Sequence, residues 1–297
     1  MAQSFITRDG LSLDVFHSPA ENVTWQGSTD FTFQPTAFAL IHGKNEAILV
    51  DAPATVKASK ELADWISLIA PGKKLTLYVT HGHGDHYFGI TTLRERFPDI
   101  RLRATAGVVE HMREQLESPI WDLWQGLFPA GQLPHEGLIK DSFDLVDEID
   151  ATGQFTLEER HVFQVIDVGE GDTYNSTVLF VPKLSLVIGG DVIYGQCFQL
   201  FFHSSSVELQ DKWIDSLSQI AALKPQIVVP AHMLPDEGYG VEHISQTAEY
   251  IKRWRTIVPK ASSWEELEVL VRKEFPKRGG STWVLRCSCQ LPFNAAF

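Results

Sequence analysis

The run Thr80-His81-Gly82-His83-Gly84-Asp85-His86 constrains this chain more than any other feature. Four side chains that bind metals stand within six residues, directly after the apolar stretch Leu75-Thr76-Leu77-Tyr78-Val79. Neutral imidazole nitrogens and a carboxylate oxygen suit a borderline divalent cation such as zinc, and the two glycines let the backbone turn tightly enough for the side chains to converge. Eleven histidines in 297 residues make some clustering unsurprising. The order H-x-H-x-D-H at the end of an apolar strand is nevertheless a spacing that chance seldom produces. A metal site is the expectation.

Two later runs have the same form, an apolar strand that delivers one ligand type at its tip. Leu186-Val187-Ile188-Gly189-Gly190-Asp191 ends on a carboxylate, and Ile227-Val228-Val229-Pro230-Ala231-His232 ends on an imidazole. Upstream, Ala47-Ile48-Leu49-Val50-Asp51 is a further strand tipped by an aspartate. Taken in order, these motifs resemble the signature of the metallo-β-lactamase superfamily over roughly residues 37 to 235. The resemblance implies that Asp191 bridges two metals, that His232 is the last ligand, and that Asp51 supports the site from behind. It implies a first metal on His81, His83 and the residue at position 172, and a second on Asp85, His86 and His232.

One motif departs from the pattern. Where the family commonly has Gly-His-Thr, this chain reads Gly171-Asp172-Thr173, with Glu170 as a second carboxylate nearby. Either carboxylate could bind zinc through oxygen, or Asp172 could bond only a metal-bound water and leave the first metal weak or absent. With two Zn²⁺ ions and a bridging hydroxide, Asp85 and Asp191 leave one net positive charge; Asp172 as a ligand brings the site to neutrality. A neutral site suits an uncharged substrate.

Composition narrows the partners. A net charge of −13 opposes binding to nucleic acid, which needs clustered Lys and Arg. No run of about 18 apolar residues is present, and the start Met1 to Asp9 lacks a basic segment followed by an apolar one, so the expectation is a cytoplasmic protein without membrane contact. Cys197, Cys287 and Cys289 are too few for a disulfide framework and read as small buried apolar residues in a reducing compartment.

Periodicity gives the architecture. Paired strands at 37–41 and 47–50 turn around Gly43-Lys44-Asn45, a helix spans Val56 to Ala70, and strands follow at 75–79 and 100–104. The second half places strands near 161–166, 177–181, 184–188 and 227–229. Helices are predicted over Val207 to Leu223, with Leu209, Trp213, Leu217 and Ile220 on one stripe, over Val241 to Ile257, and over Ser263 to Phe275, capped by Ser263. Nothing resembles a linker, so the chain reads as one domain over 1–297. The resemblance makes it an α/β fold, a four-layer αβ/βα sandwich of the metallo-β-lactamase type.

Residues 108–148 stand apart, with Trp121, Trp124, Leu127 and Phe128 in a stretch rich in Pro and Gly. They read as a lid over the metal edge with an aromatic wall, as core-packed helix, or as a homodimer contact. Residues 197–203 are a second candidate lining. His17, His42, His111, His135, His161, His203 and His243 lack neighbours at ligand spacing and receive no metal role; His203 stands out slightly for its aromatic neighbours.

The expected chemistry is hydrolysis of a small-molecule substrate with Zn²⁺, two ions per chain, although one ion or another divalent metal would also suit these ligands. A shared water made acidic by the metals attacks the carbonyl of a small apolar or aromatic lactone or lactam. The resemblance gives Asp85 a part in orienting that nucleophile or passing a proton. Tyr194, three residues after Asp191, resembles the phenol that related lactonases aim at the developing oxyanion. The alternatives are a glyoxalase-type thioesterase, a transfer-RNA-type phosphodiesterase that the acidic charge disfavours, and a metal-depleted binding module without turnover.

Overall fold

The computed structural model describes residues 6–129 and 131–294. The first five residues, part of the segment read above for the absence of a leader, lie outside the described residues, as do Ala130 and the last three.

The first half of the chain supplies strands β1 (Ile6–Arg8), β2 (Leu11–Ser18), β3 (Asn22–Trp25), β4 (Ser28–Thr32), β5 (Thr36–His42), β6 (Glu46–Val50), β7 (Lys74–Tyr78), β8 (Arg101–Ala104) and β9 (Val146–Glu148). Helices α1 (Val56–Ile69), α2 (Ile90–Arg96), α3 (Ala106–Glu114), α4 (Ile120–Leu127) and α5 (Glu136–Asp141) connect them. The second half supplies β10 (Gln154–Leu157), β11 (His161–Glu170), β12 (Tyr174–Val181), β13 (Leu186–Ile188) and β14 (Ile227–Val229), with helices α6 (Val207–Ala222), α7 (Glu242–Ile257), α8 (Trp264–Glu274) and α9 (Thr282–Gln290). One sheet has the order β1-β2-β5-β6-β7-β8-β9, the other β10-β11-β12-β13-β14, and β3-β4 form a separate hairpin.

Side-chain alternation explains why the two sheets face each other. Along β5, Ala37, Ala39 and Ile41 point into a cluster shared with Leu179, Leu186 and Val229 of the second sheet, whereas Phe38 and Leu40 belong to the cluster under α1. The same split divides Ile48 and Val50 from Ala47 and Leu49 on β6. Strands buried on both faces read as continuous apolar runs. Leu62 and Ile66 of α1 cover the outside of the first sheet, and Trp213, Leu217 and Ile220 of α6 share a cluster with Val178, Val187 and Val228 of the second. The result is the expected four-layer α/β sandwich.

Differences from the sequence reading lie at the ends and in the middle. The described part of the stretch before residue 37, for which no strand is predicted from sequence, contains β1 to β4, and α9 near the C-terminus likewise has no prediction. Segment 108–148 forms most of α3, all of α4 and α5, and β9, which pairs in parallel with β8 at the sheet edge. On α6 the inward stripe contains Gln210 rather than Leu209, because the Gln210 amide bonds to Ser204 O and to Arg255. Among the described residues no helix is long and apolar enough to cross a membrane. Cys197, Cys287 and Cys289 are buried and free.

Candidate metal centre

The ligand-bearing segments leave one edge of the sandwich. The histidine loop follows β7, Asp51 follows β6, Asp191 follows β13, His232 follows β14, and Asp172 sits in the turn between β11 and β12. The two sheets are joined at this edge: Thr177 of β12 donates through both its backbone N–H and its hydroxyl to Thr80 O, at 3.0 and 2.6 Å. Gly190, with φ +48°, is required here, since a Cβ would stand 2.7 Å from the Thr80 hydroxyl.

The predicted ligands converge in two groups. His81, His83, Asp172 and Asp191 form one, and Asp85, His86 and His232 the other. Asp191 joins them, with Oδ2 3.7 Å from His81 Nε2 and 3.1 Å from His232 Nε2, and Oδ1 3.3 Å from His86 Nε2. Asp85 Oδ2 is 3.5 Å from His86 Nε2 and 3.4 Å from His232 Nε2. Asp172 Oδ2 is 3.8 Å from His83 Nδ1, which is 3.1 Å from His81 Nε2. Glu170, the second carboxylate weighed above, falls in neither group; its nearest charged partner is Lys212 at 3.9 Å.

Outer contacts fix the rings. Asp51 accepts from Thr80 N and Thr80 Oγ1, both at 2.8 Å, and its Oδ2 lies 2.9 Å from His86 Nδ1. His232 Nδ1 lies 3.2 Å from Pro35 O and 3.3 Å from Thr36 Oγ1. Each ring thus turns one nitrogen outward to an oxygen and the other inward. Metal-binding histidines are oriented by this arrangement.

Charge within the cluster is unbalanced. Burial and the neighbouring His86 hold His81 well below its usual pKa, and burial with His81 and His203 does the same for His83, so both imidazoles are neutral. Burial opposes ionisation of Asp85 and Asp191, but the facing histidines outweigh it and hold both well below the carboxylate range. Against the same burial, Asp191, Asp85 and Asp51 raise His86, and Asp191 and Asp85 raise His232 to about 10. Burial and the adjacent Asp191 push Asp172 well above its usual value. Protons on these groups stand where positive charge is missing.

Divalent cations fit this arrangement. Ligands 2.0–2.1 Å from a tetrahedral zinc stand roughly 3.3 Å apart; the neighbouring pairs given above stand 3.1 to 3.8 Å apart, and all ligand atoms within each group lie within 4.8 Å of one another. His86 Nε2, Asp172 Oδ1 and Asp191 Oδ1 are buried without hydrogen-bond partners, a cost that coordination removes.

A cavity opens from the cluster. His83, Asp85, Asp191 and His232 form its polar end, and Leu123, Trp124 and Leu127 of α4, Leu200, and Trp283 of α9 belong to its walls. Segment 108–148 thus supplies a wall through α4, while its Trp121 and Phe128 are packed in the core. Residues 197–203 contribute Leu200, Phe202 and His203. Tyr194 is fully buried and lies outside the lining; its hydroxyl donates to Asp172 Oδ2 at 3.0 Å and reaches Asp191 Oδ2 at 3.4 Å.

Sequence reasoning missed Trp283 and a third group of histidines. His111 and His203, assigned no metal role, lie beside His83 with ring centroids 5.3 and 5.8 Å away. The aromatic neighbours of His203 were the available signal.

The geometry agrees with comparisons to known proteins. The family model described as the metallo-beta-lactamase superfamily matches residues 32–232. Similar solved structures include the DIM-1 metallo-beta-lactamase exposed to ceftazidime (18% identity, TM-score 0.57, 84% of this chain and 96% of that one) and a metallo-beta-lactamase from Pontibacter korlensis (16%, 0.56, 84% and 98%). FIM-1 from Pseudomonas aeruginosa, in its mono-zinc form, is also similar (18%, 0.54, 84% and 95%). At these identities the likeness carries the fold. No curated protein sequence matches the chain.

Proposed function

The chain belongs to the metallo-β-lactamase superfamily, and from that premise we propose that it is a divalent-cation-dependent hydrolase opening a small, uncharged, apolar or aromatic cyclic ester or amide. One observation carries the reading. The cavity that begins at Asp85, Asp191 and His232 is walled mostly by apolar and aromatic side chains, with Gln34, Gln115 and His203 between them, and among the described residues no Lys or Arg lines it. A substrate carrying a carboxylate along these walls would lose its hydration with no Lys or Arg to replace it, which argues against a glyoxalase-type thioesterase and against anionic lactams.

His81, His83, Asp172 and Asp191 would hold one cation and Asp85, His86 and His232 the other, with Asp191 between them. Cations held there acidify water and act as Lewis acids toward a carbonyl. The chain's own residues do the rest. Asp85 both touches His86 and His232 and faces the cavity, so its carboxylate accepts a hydrogen bond from the attacking water and orients it. Apolar walls exclude bulk water and set the ring against the polar end. The hydroxyl of Tyr194 is engaged with Asp172, so the role its position supports is to fix that carboxylate, in place of the expected donation to the substrate oxygen.

The test uses protein stripped of metal and reloaded with Zn²⁺ or Mn²⁺, assayed on uncharged aromatic lactones, the matching lactams and carboxylate-bearing thioesters. Expected is chelator-sensitive hydrolysis of the uncharged rings. Faster turnover of the anionic thioesters, or tight cation binding with no turnover on any of the three, would overturn the reading.

A further inference from the structure

His83, His111 and His203 offer coordinating nitrogens that all lie within 4.8 Å of one another. They come from three separate segments, the histidine loop, α3 and the loop before α6, so sequence proximity does not account for the cluster. Packing fixes the approach: a Cβ at Gly82 would stand 2.4 Å from His111 Cγ, so glycine at 82 lets α3 come up against the histidine loop.

Each ring has one nitrogen engaged and one left over. His203 Nδ1 bonds to Thr173 Oγ1, and His83 Nδ1 faces His81 and Asp172. His111 Nε2 lies 3.2 Å from Gln115 Nε2, and its Nδ1 is buried without a partner in a residue that is 0% exposed. A buried nitrogen left without a partner beside two other imidazoles is destabilising unless something occupies the space. Imidazole clusters of this kind suit Zn²⁺, Co²⁺, Ni²⁺ or Cu²⁺ far better than Mg²⁺ or Ca²⁺.

We propose that His83, His111 and His203 form an alternate divalent-cation site, occupied in exchange with the Asp172 side of the dinuclear cluster. The proposal rests on the reading of Asp172 as a cation ligand. Exchange follows because His83 belongs to both groups and a neutral imidazole has one unprotonated nitrogen, so the ring serves a cation on the Asp172 side or one on the His111 and His203 side, but not both at once. A cation on the carboxylate side thus has an all-imidazole alternative that shares His83.

Bound cobalt, counted after equilibrium dialysis of chelator-stripped protein, tests this without an activity assay. In Asp172→Asn protein the cation nearest His83 is expected to remain, now on three imidazoles, with an altered visible absorption spectrum. Adding His111→Gln, or separately His203→Asn, to Asp172→Asn should then remove one bound cobalt ion per chain. The half-buried His203 supplies the second variant in case the substitution at buried His111 prevents folding. Cobalt content that falls on Asp172→Asn alone, or that both second substitutions leave unchanged, would overturn the proposal. Because cobalt is counted rather than turnover, lactone hydrolysis can fail while the imidazole site stands, and the reverse.

Discussion

Asp51 is held in the left-handed region, φ +63°, a conformation that costs a non-glycine residue about 1–3 kcal/mol unless its surroundings impose it. The surroundings here are the backbone and hydroxyl of Thr80 and the Nδ1 of His86, all bonded to one carboxylate. Asp51→Asn keeps the shape and removes the charge that keeps the His86 proton on its outer nitrogen. Cation affinity should fall roughly 10- to 100-fold, read by competition against a chelator, with the fold intact by circular dichroism. Unchanged affinity would reduce Asp51 to a packing residue. At this scale the sequence was most legible where ligands are local or end a strand. His81, His83, Asp85 and His86 announce themselves by spacing, and Asp191 and His232 by the apolar runs before them. His111 was not legible, because nothing near it in sequence marks the approach of α3 to Gly82.

Among the elements, strands and amphipathic helices were legible in proportion to their periodicity. α1, α6, α7 and α8 start within one residue of expectation, three of them with the predicted first helical residue or cap. The hairpin β3-β4 was not, because its alternation is half exposed and its partner is far away: Thr32 bonds Thr282 of α9, 250 residues on. That pairing also hid Trp283, which stacks on Phe33 at 5.5 Å as part of the cavity wall. α4 contributes a face with both roles, since Trp124 is buried and donates to Gln115 Oε1 while the half-buried Leu123 turns toward the cavity. Leu123→Ala should raise KM for an aromatic lactone roughly tenfold with kcat little changed, because wall contacts act equally on substrate and transition state. A fall in kcat at constant KM would mean that α4 positions the reacting carbonyl. Trp124→Phe leaves the Gln115 carbonyl buried without its donor and should cost about 1–3 kcal/mol in urea unfolding. No measurable loss would show that Gln115 finds another partner.

Over the whole molecule, a metal edge built where two sheets meet ties stability to protonation, and the sign differs between the two sides of the cluster. Burial pushes His111 down to about 2, so folding excludes a proton that the unfolded chain takes up near 6.5. Its contribution is present above pH 6.5 and lost as pH falls below it. His232 behaves oppositely. Raised to about 10 by Asp191 and Asp85 against the effect of burial, it contributes stability to the metal-free fold that is full below pH 6.5 and lost as pH rises through 10. His86, raised by Asp191, Asp85 and Asp51 against its burial, adds to the same alkaline loss. The metal-free protein should therefore be most stable near pH 6.5. Divalent cations take the place of the His86 and His232 protons, so loaded protein escapes the alkaline loss, and each proton displaced is worth about 1.4 kcal/mol per pH unit across that range. The gap in melting temperature between zinc-loaded and metal-free protein should accordingly widen from pH 6.5 to pH 9. A gap that stays constant over this interval would mean that these two imidazoles are not the groups a cation displaces, and the assignment of Asp85, His86 and His232 to one metal would have to be withdrawn.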